Sequence, residues 1–305
     1  MLFDLRHIVI LLLISILQIN PAGADQSITI MVEPLEAPIK IDGMSNEWPV
    51  HEEHKDHNHS HKAFTPQATI PSYISNPEEM RYNKDWDPKP RIRAGVHNNT
   101  FYMLATWQDE SADTLYKPWH NMGKRWSKGR KKDDMFAVRF ELNGTLAACM
   151  LSGQNYDVDV WRWTAGRSNP SGYADDMIHK FTTQFREKAS EYHHDGHTVY
   201  ISTNIDSGSR GWSYTKKPKS SQTRVVPGIA YETPQGSLAD VSAKGVWKDG
   251  YWTLELSRPL KTADKDDVVF QPGSKTSIQF AFFNAGYRLR KQITNTLILD
   301  FQDIR

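Results

Sequence analysis

Hydrophobic and polar residues alternate over many short stretches of this chain, which is the pattern of β-strands packed on one face. The clearest stretch is Met135–Leu142, which places Phe136, Val138 and Phe140 on one side of a strand. The same alternation recurs at Thr198–Ile205, Trp252–Leu256 and Ser277–Phe283. These stretches predict a protein built mainly from antiparallel strands.

Turn signals separate the predicted strands. Asn143-Gly144 forms a turn after the predicted strand Met135–Leu142. Val246–Trp252 predicts a strand, an Asp-Gly turn and a second strand. Helical periodicity is weak, and only residues 175–190 could carry a helix. Many short strands with long irregular connections predict an all-β, antiparallel β-sandwich with at most one or two short helices.

The N-terminus has the features of a secretory signal peptide. Arg6 and His7 precede an apolar run, Ile8–Leu17, and Ala22-Gly23-Ala24 forms an A-x-A cleavage site. This run of ten residues, nine of them apolar, is short for a membrane span, which needs about 20. We therefore expect residues 1–24 to be removed, export to the periplasm or an equivalent compartment, and no membrane span after processing. The alternative is an uncleaved membrane anchor.

Charge and cysteine content exclude several classes of protein. The 37 Lys and Arg residues balance 36 Asp and Glu residues, so the chain lacks the basic excess of a nucleic-acid-binding protein. Cys149 is the only cysteine, which rules out a disulfide framework and a C-x-x-C-H haem attachment motif. Any haem would therefore be held by ligation and packing.

Neither a repeat nor a linker divides residues 25–305, which predicts one domain. A histidine-rich insertion spans about 49–80, and it suits a weak Zn, Ni or Cu site or no specific metal at all. Its histidines are His51, His54, His57, His59 and His61. The basic run 124–132 is either a solvated loop or a surface that steers an acidic partner. The long connection 206–240 is typical of a functional or partner-facing loop.

The central motifs resemble a known family. They are Ala148-Cys149-Met150-Leu151, the stretch from Asp157 to Arg167 that contains Trp-Arg-Trp, and Gly172-Tyr173-Ala174-Asp175-Asp176. Three further pieces occur in the expected order along the chain: Ile41-Asp42-Gly43 with Glu47-Trp48, Thr106–Asp109, and Gly236–Val241 with Trp247–Leu260. Together, over roughly residues 36–300, they resemble the haem-binding γ subunits of ethylbenzene dehydrogenase and its relatives. Those relatives are the third subunits of dimethyl sulfide dehydrogenase, selenate and chlorate reductases, and some nitrate or nitrite oxidoreductases.

This resemblance implies a sandwich like those of carbohydrate-binding modules and DOMON domains, with one non-covalent haem b between an axial Met and an axial Lys. By position, Met150 and Lys291 match these two ligands. The alternative for Met150 is a core methionine. For Lys291 the alternatives are a surface lysine, a ligand one or two residues away, or a histidine ligand.

Four further residues are candidate cofactor contacts. Trp161 and Trp163 share one face of a strand, and with Tyr173 they either line the haem or fill the core. Arg162, like Arg167, suits a haem propionate; the alternatives are a solvated face or a pair with Asp157 or Asp159. Cys149 is expected to be an inert thiol on the face opposite Met150.

With both axial positions filled, such a chain carries electrons and is not itself an enzyme. The expected partners are a molybdenum catalytic subunit and an iron–sulfur subunit of the same complex, with a soluble c-type cytochrome as electron partner. The alternative function is a carbohydrate-binding module that stacks sugars on its tryptophans. A hydrolase is disfavoured because Cys149 has no base signal nearby.

Overall fold

The all-β prediction is confirmed by the computed structural model, which describes residues 28–49, 68–69, 72–73, 86–220, 222–285 and 290–303. These residues contain two three-residue 3₁₀ helices, Asn169–Ser171 and Ser237–Ala239, and twenty strands. In chain order the strands are β1 (Thr29–Pro34), β2 (Ala68–Thr69), β3 (Ser72–Tyr73), β4 (Arg91–His97), β5 (Thr100–Gln108), β6 (Trp119–Asn121), β7 (Trp126–Lys128), β8 (Met135–Asn143), β9 (Tyr156–Thr164), β10 (Tyr173–Thr182), β11 (Ser190–His194), β12 (His197–Ile205), β13 (Trp212–Tyr214), β14 (Val225–Val226), β15 (Ile229–Tyr231), β16 (Val241–Lys248), β17 (Tyr251–Pro259), β18 (Lys275–Asn284), β19 (Arg290–Thr294) and β20 (Leu297–Asp300).

The main strands form a closed ring, which corrects the prediction of two separate sandwich sheets. Strand β1 pairs in parallel with β20 through its first half and with β4 through its second half. Strand β10 pairs with β16 at its start and with β9 and β12 further on. The ten strands of the ring run in the order β1, β4, β5, β17, β16, β10, β9, β8, β18 and β20. The two layers are therefore continuous at β1 and β10.

Two local predictions have opposite outcomes. The hairpin at Asp249-Gly250 joins β16 to β17, and both turn residues have positive φ, +51° and +85°. The helix considered for residues 175–190 is wrong, because most of that interval belongs to β10 and β11. Strand β10 is buried on both faces, so its sequence lacks the two-residue alternation that would identify a strand.

Aromatic side chains fill the main core inside the ring. Trp107, Trp161, Trp163 and Trp252 are all at most 2% exposed. The ring centroids of Trp163 and Trp252 are 5.0 Å apart and nearly perpendicular, a favourable edge-to-face geometry. Gly245 lies directly over this pair, where an added Cβ would be 2.4 Å from Trp163 Cζ2. The core therefore depends on close packing of indole rings from strands far apart in sequence.

A second apolar cluster lies on the opposite side of the same strands. We call this side of β8, β9, β10, β18 and β19 the outer face. Val158, Val160, Met177 and Phe181 belong to it, and the connection from β8 to β9 covers them. The ring thus has a strand layer with apolar residues on both sides, and only one side is the main core.

The predicted signal peptide and the five histidines of the insertion lie outside the described residues. Among the residues that are described, no helix has the length and apolarity needed to cross a bilayer.

Candidate functional site

The connection between β8 and β9 carries Cys149 and Met150 and is tied to the outer face by Arg139. Arg139 Nη2 donates to the carbonyl oxygens of Ala147 at 2.6 Å and Ala148 at 3.3 Å. Its Nε donates to Gln279 Oε1 at 2.6 Å. Gln279 Nε2 then donates to Ala148 O at 3.0 Å and to Thr294 O in β19 at 2.7 Å. Arg139 and Gln279 therefore hold the connection against β18 and β19.

Met150 is half-buried and packs against the second apolar cluster beside Leu151. The segment around it, residues 147–151, has turns and bends and no strand. Successive side chains point to opposite faces only within a strand, so the expectation that Cys149 lies opposite Met150 does not apply to this segment. Cys149 is a free, half-buried thiol.

Lys291 lies on β19 directly opposite Phe283 of β18. Phe283 and Ala281 alternate with the core residues Phe280 and Phe282, so Lys291 faces outward with them. Gln279, which holds the Met150 connection, is four residues from Phe283 along β18, a separation of about 13 Å. The structure therefore places the two predicted ligands on the same face, on segments separated by roughly the reach of two long side chains.

Small residues form the floor between these two segments. Ala137 of β8 and Ala281 of β18 are cross-strand neighbours, and Ile293 of β19 lies beside Ala281. All three are half-buried. The sheet surface between the two segments therefore carries short methyl side chains at Ala137 and Ala281.

Arg162 is on this floor, next to Ala137 in β8. It forms an ion pair with Asp175 of β10, with Nη2 to Oδ2 at 2.7 Å, and 17% of its side chain is exposed. The alternative pairing with Asp157 or Asp159 is wrong, because residues 157 and 159 lie on the other face of β9. Arg167 is paired with both oxygens of Asp133, each at 3.0 Å.

The other candidate contacts are separated from this floor. Trp161 and Trp163 point into the main core and are fully buried. Tyr173 is on the outer side but is covered by the connection 206–240, and its hydroxyl accepts a hydrogen bond from Gly211 N at 3.1 Å. Of the four predicted contacts, the structure brings only Arg162 near the segments that carry Met150 and Lys291.

His179 is a half-buried residue that the sequence analysis did not single out. It belongs to the outer face, and its Nε2 is buried without a hydrogen-bond partner. Burial, with the nearby positive charges of Arg162 and Arg139, lowers the pKa of His179 to about 4. The imidazole is therefore neutral near pH 7.

Acidic residues cluster on the inner side, around Arg258. Arg258 Nη1 lies 2.9 Å from Asp159 Oδ2, 3.0 Å from Asp176 Oδ2 and 3.5 Å from Asp267 Oδ1. A neighbouring trio, Asp206, Asp264 and Asp266, has carboxylate oxygens within 4.8 Å of one another. Burial, together with repulsion from nearby aspartates, raises the pKa of Asp206 to about 7. Such clusters form without a bound ion, and this one by itself does not define a metal site.

Comparison with solved structures gives low similarity. A Bacteroides uniformis protein proposed to bind carbohydrate has 8% identity and a TM-score of 0.40, over 89% of this chain and 90% of its own. A family 9 carbohydrate-binding module from Caldicellulosiruptor kristjanssonii, solved with glucose, has 11% identity and a TM-score of 0.34, over 88% and 85%. Both scores are below 0.5, so no functional inference follows from them.

Comparison with protein families gives a clear assignment. No curated protein matches the chain significantly. The sequence profile described as ethylbenzene dehydrogenase matches residues 67–292, which include Met150, Arg162 and Lys291. Because this match covers well over half of the 305 residues, the chain belongs to the ethylbenzene dehydrogenase family.

Proposed function

We propose that this chain is the haem b-binding, electron-transferring subunit of an exported molybdenum and iron–sulfur oxidoreductase complex. The observation that carries the proposal is the joint position of Met150 and Lys291. Both lie on one face of the ring, beside a floor of alanines, in a chain of the ethylbenzene dehydrogenase family. A thioether and an amine from the two segments that flank these alanines would suit the iron of a haem.

The residues present fit a haem with two protein ligands. Met150 offers a neutral thioether, which favours ferrous iron, and Lys291 offers an amine that must lose its proton to coordinate. When bound, haem supplies reversible one-electron exchange at its iron. If Met150 and Lys291 both held the iron, no coordination position would be left for a substrate, which supports a carrier and not a catalyst.

Several other side chains position the backbone around this face or could contact the cofactor. Arg139 and Gln279 fix the backbone that carries Met150, so the thioether is positioned before any cofactor binds. Arg162 keeps part of its guanidinium accessible beside Ala137 and suits a carboxylate such as a propionate. Trp161 and Trp163 act from the core, where they support the strand that carries Arg162.

The rest of the complex must supply the chemistry that this chain lacks. With one cysteine, the chain cannot bind a four-cysteine iron–sulfur cluster. We therefore assign catalysis to a molybdenum subunit, electron relay to an iron–sulfur subunit, and onward transfer to a soluble c-type cytochrome. The signal-like N-terminus supports export to the periplasm or an equivalent compartment.

The alternative, sugar binding by stacking on tryptophan, has less support. A stacking platform needs an exposed ring, whereas Trp161 and Trp163 are fully buried. No contact described on the outer face favours a sugar over a haem.

The test is the absorption spectrum of the protein purified from cells with an adequate haem supply. We expect a Soret band, a shift to a low-spin ferrous spectrum with dithionite, and one extractable haem b per chain. A protein without a Soret band, or one whose haem resists acid–acetone extraction, would contradict the proposal.

Ligand variants refine this test. Met150→Ala and Lys291→Ala should each change the low-spin spectrum. Met122→Ala should not, because Met122 is 63% exposed between β6 and β7, which are not strands of the outer face. An unchanged spectrum in Met150→Ala would reject Met150 as a ligand.

A further inference from the structure

The positive charge of this protein is concentrated on two segments, residues 115–132 and 208–226. They contain twelve Lys and Arg residues and not one Asp or Glu. Removing these twelve from the 37 Lys and Arg of the chain leaves 25 against 36 Asp and Glu. A net charge of +1 therefore conceals a basic region on a protein that is otherwise strongly acidic.

The fold joins the two segments into one surface, which we call the basic platform. Strand β14 pairs with β6, with Val226 opposite Trp119, and Asn121 N donates to Arg224 O at 2.8 Å. Gly228 permits close approach of the segments, since an added Cβ would be 2.0 Å from Lys117 O. Residues about 100 positions apart thus contribute to one basic surface.

Aromatic rings hold several of these cations in place. Lys128 Nζ is 4.3 Å from the ring centre of Tyr214 and 5.5 Å from that of Trp119. Lys132 Nζ is 5.0 Å from the ring centre of Tyr116, and Arg210 is 5.4 Å from that of Trp212. Cations held over rings lose less side-chain entropy when a partner binds.

Apolar side chains are exposed on the same platform. Ten large hydrophobic residues of the described chain are exposed, and four belong to these two segments: Leu115, Met122, Tyr214 and Val225. Tyr231, the last residue of β15 and five residues beyond the second segment, is also 52% exposed. Tyr, Trp, Met and Arg are enriched at protein–protein interfaces, and charge at the rim steers association. This composition favours a protein partner over a lipid surface or a polyanion.

We propose that the basic platform docks an acidic face of a folded protein partner. Charge complementarity supports this docking, as does the mixture of fixed cations with exposed aromatic and apolar side chains. The docking does not depend on haem binding, so it stands or fails separately from the proposed function.

The test uses a soluble c-type cytochrome of net negative charge as the probe and one of net positive charge as its counterpart. Binding to the full mature chain is measured by isothermal titration calorimetry at about 20 mM and about 200 mM ionic strength. We expect the acidic cytochrome to bind and the basic cytochrome not to bind. The affinity for the acidic cytochrome should be lower at the higher ionic strength. The triple variant Lys124→Glu, Lys131→Glu, Lys217→Glu should lose at least about tenfold in affinity.

A matched control separates the platform from net charge. Lys188→Glu, Lys248→Glu, Lys261→Glu makes the same charge change at exposed lysines outside the platform, and affinity should stay within about threefold. Equal reductions in affinity in both variants, or no binding of the acidic cytochrome, would overturn the proposal. So would platform-dependent binding to phosphatidylglycerol vesicles or heparin in place of the cytochrome, or platform-dependent self-association in sedimentation velocity.

Discussion

Arg139 holds the backbone two and three residues before Met150, and we expect its removal to affect both folding and haem binding. Its guanidinium is nearly buried and donates to Gln279, to Tyr156 Oη at 3.2 Å and to the carbonyls of Ala147 and Ala148. It also lies 5.9 Å from the ring centre of Phe181. Arg139→Ala would remove all these interactions at once.

The expected cost follows from the number and charge of these hydrogen bonds. A hydrogen bond from a charged donor contributes about 1.5–3 kcal/mol, and the contributions of one residue are not additive. The two carbonyls regain water once the connection moves, which reduces the cost. We expect Arg139→Ala to lower the free energy of unfolding by about 3–4 kcal/mol. Arg139→Lys, which keeps the charge but not the fork of donors, should show about half of that decrease.

Urea unfolding followed by tryptophan fluorescence measures this change, and haemin titration measures the second effect. We expect haem affinity to fall at least about tenfold in Arg139→Ala, because Met150 is no longer held against the outer face. Arg186→Ala, at an exposed arginine, is the control and should change neither quantity. An Arg139→Ala protein within about 0.5 kcal/mol of wild type, with unchanged haem affinity, would refute this role for Arg139.

Three further predictions concern stability. The pKa of Asp206 is about 7 in the folded protein and near 3.9 in the unfolded chain, so the protonated carboxyl favours folding. This contribution to stability is lost as pH rises from about 4 to 7. In urea titrations, Asp206→Asn should therefore be more stable than wild type by about 1–2 kcal/mol at pH 8 and equally stable at pH 4. The pKa of His179 is about 4 in the folded protein and near 6.5 in the unfolded chain, so the free energy of unfolding should fall as pH drops from about 6.5 to 4. His179→Gln should lose this pH dependence. The same pH dependence in the variant would exclude His179 as its source. Gly245→Ala should destabilise by about 2–3 kcal/mol in thermal unfolding, because its Cβ would clash with Trp163, whereas Gly250→Ala, with open space around it, should show only the smaller cost of its positive φ.

Local patterns predicted the parts of this fold that depend on neighbouring residues. The Asp249-Gly250 turn and the alternation in β8 both appear where the sequence placed them. Strand β10 could not be predicted from the sequence, because both of its faces are buried and its residues do not alternate between apolar and polar. Ring closure also could not be predicted, since it depends on parallel pairing of β1 with β20, nearly 270 residues away.

In the candidate site, too, some residues could be predicted from the sequence and others depend on contacts between distant segments. Family resemblance predicted Met150 and Lys291 as ligands, and it gave no indication of Arg139 and Gln279, which lie 140 residues apart and join the two segments. Arg139 stands in an alternating strand between the core residues Val138 and Phe140, so its opposite face could have been inferred. Its acceptors are backbone carbonyls of an irregular connection, and no sequence pattern specifies such partners.

The pairing of Arg162 illustrates a limit of proximity in sequence. Asp157 and Asp159 are nearer along the chain, but alternation places them on the other face of β9. Asp175 is the cross-strand neighbour of Arg162 in β10. Register between strands, and not sequence distance, therefore selects the ion pair.

The central claim is that Met150 holds the iron of a haem b, and far-red absorption of the oxidised protein tests it most directly. A sulfur ligand on low-spin ferric haem gives a weak far-red charge-transfer band that nitrogen and oxygen ligands do not give. We predict this band in wild type and in Met122→Ala, and its loss in Met150→Ala with haem still bound. A haem-loaded wild type without the band, or a Met150→Ala protein that retains it, would contradict the claim.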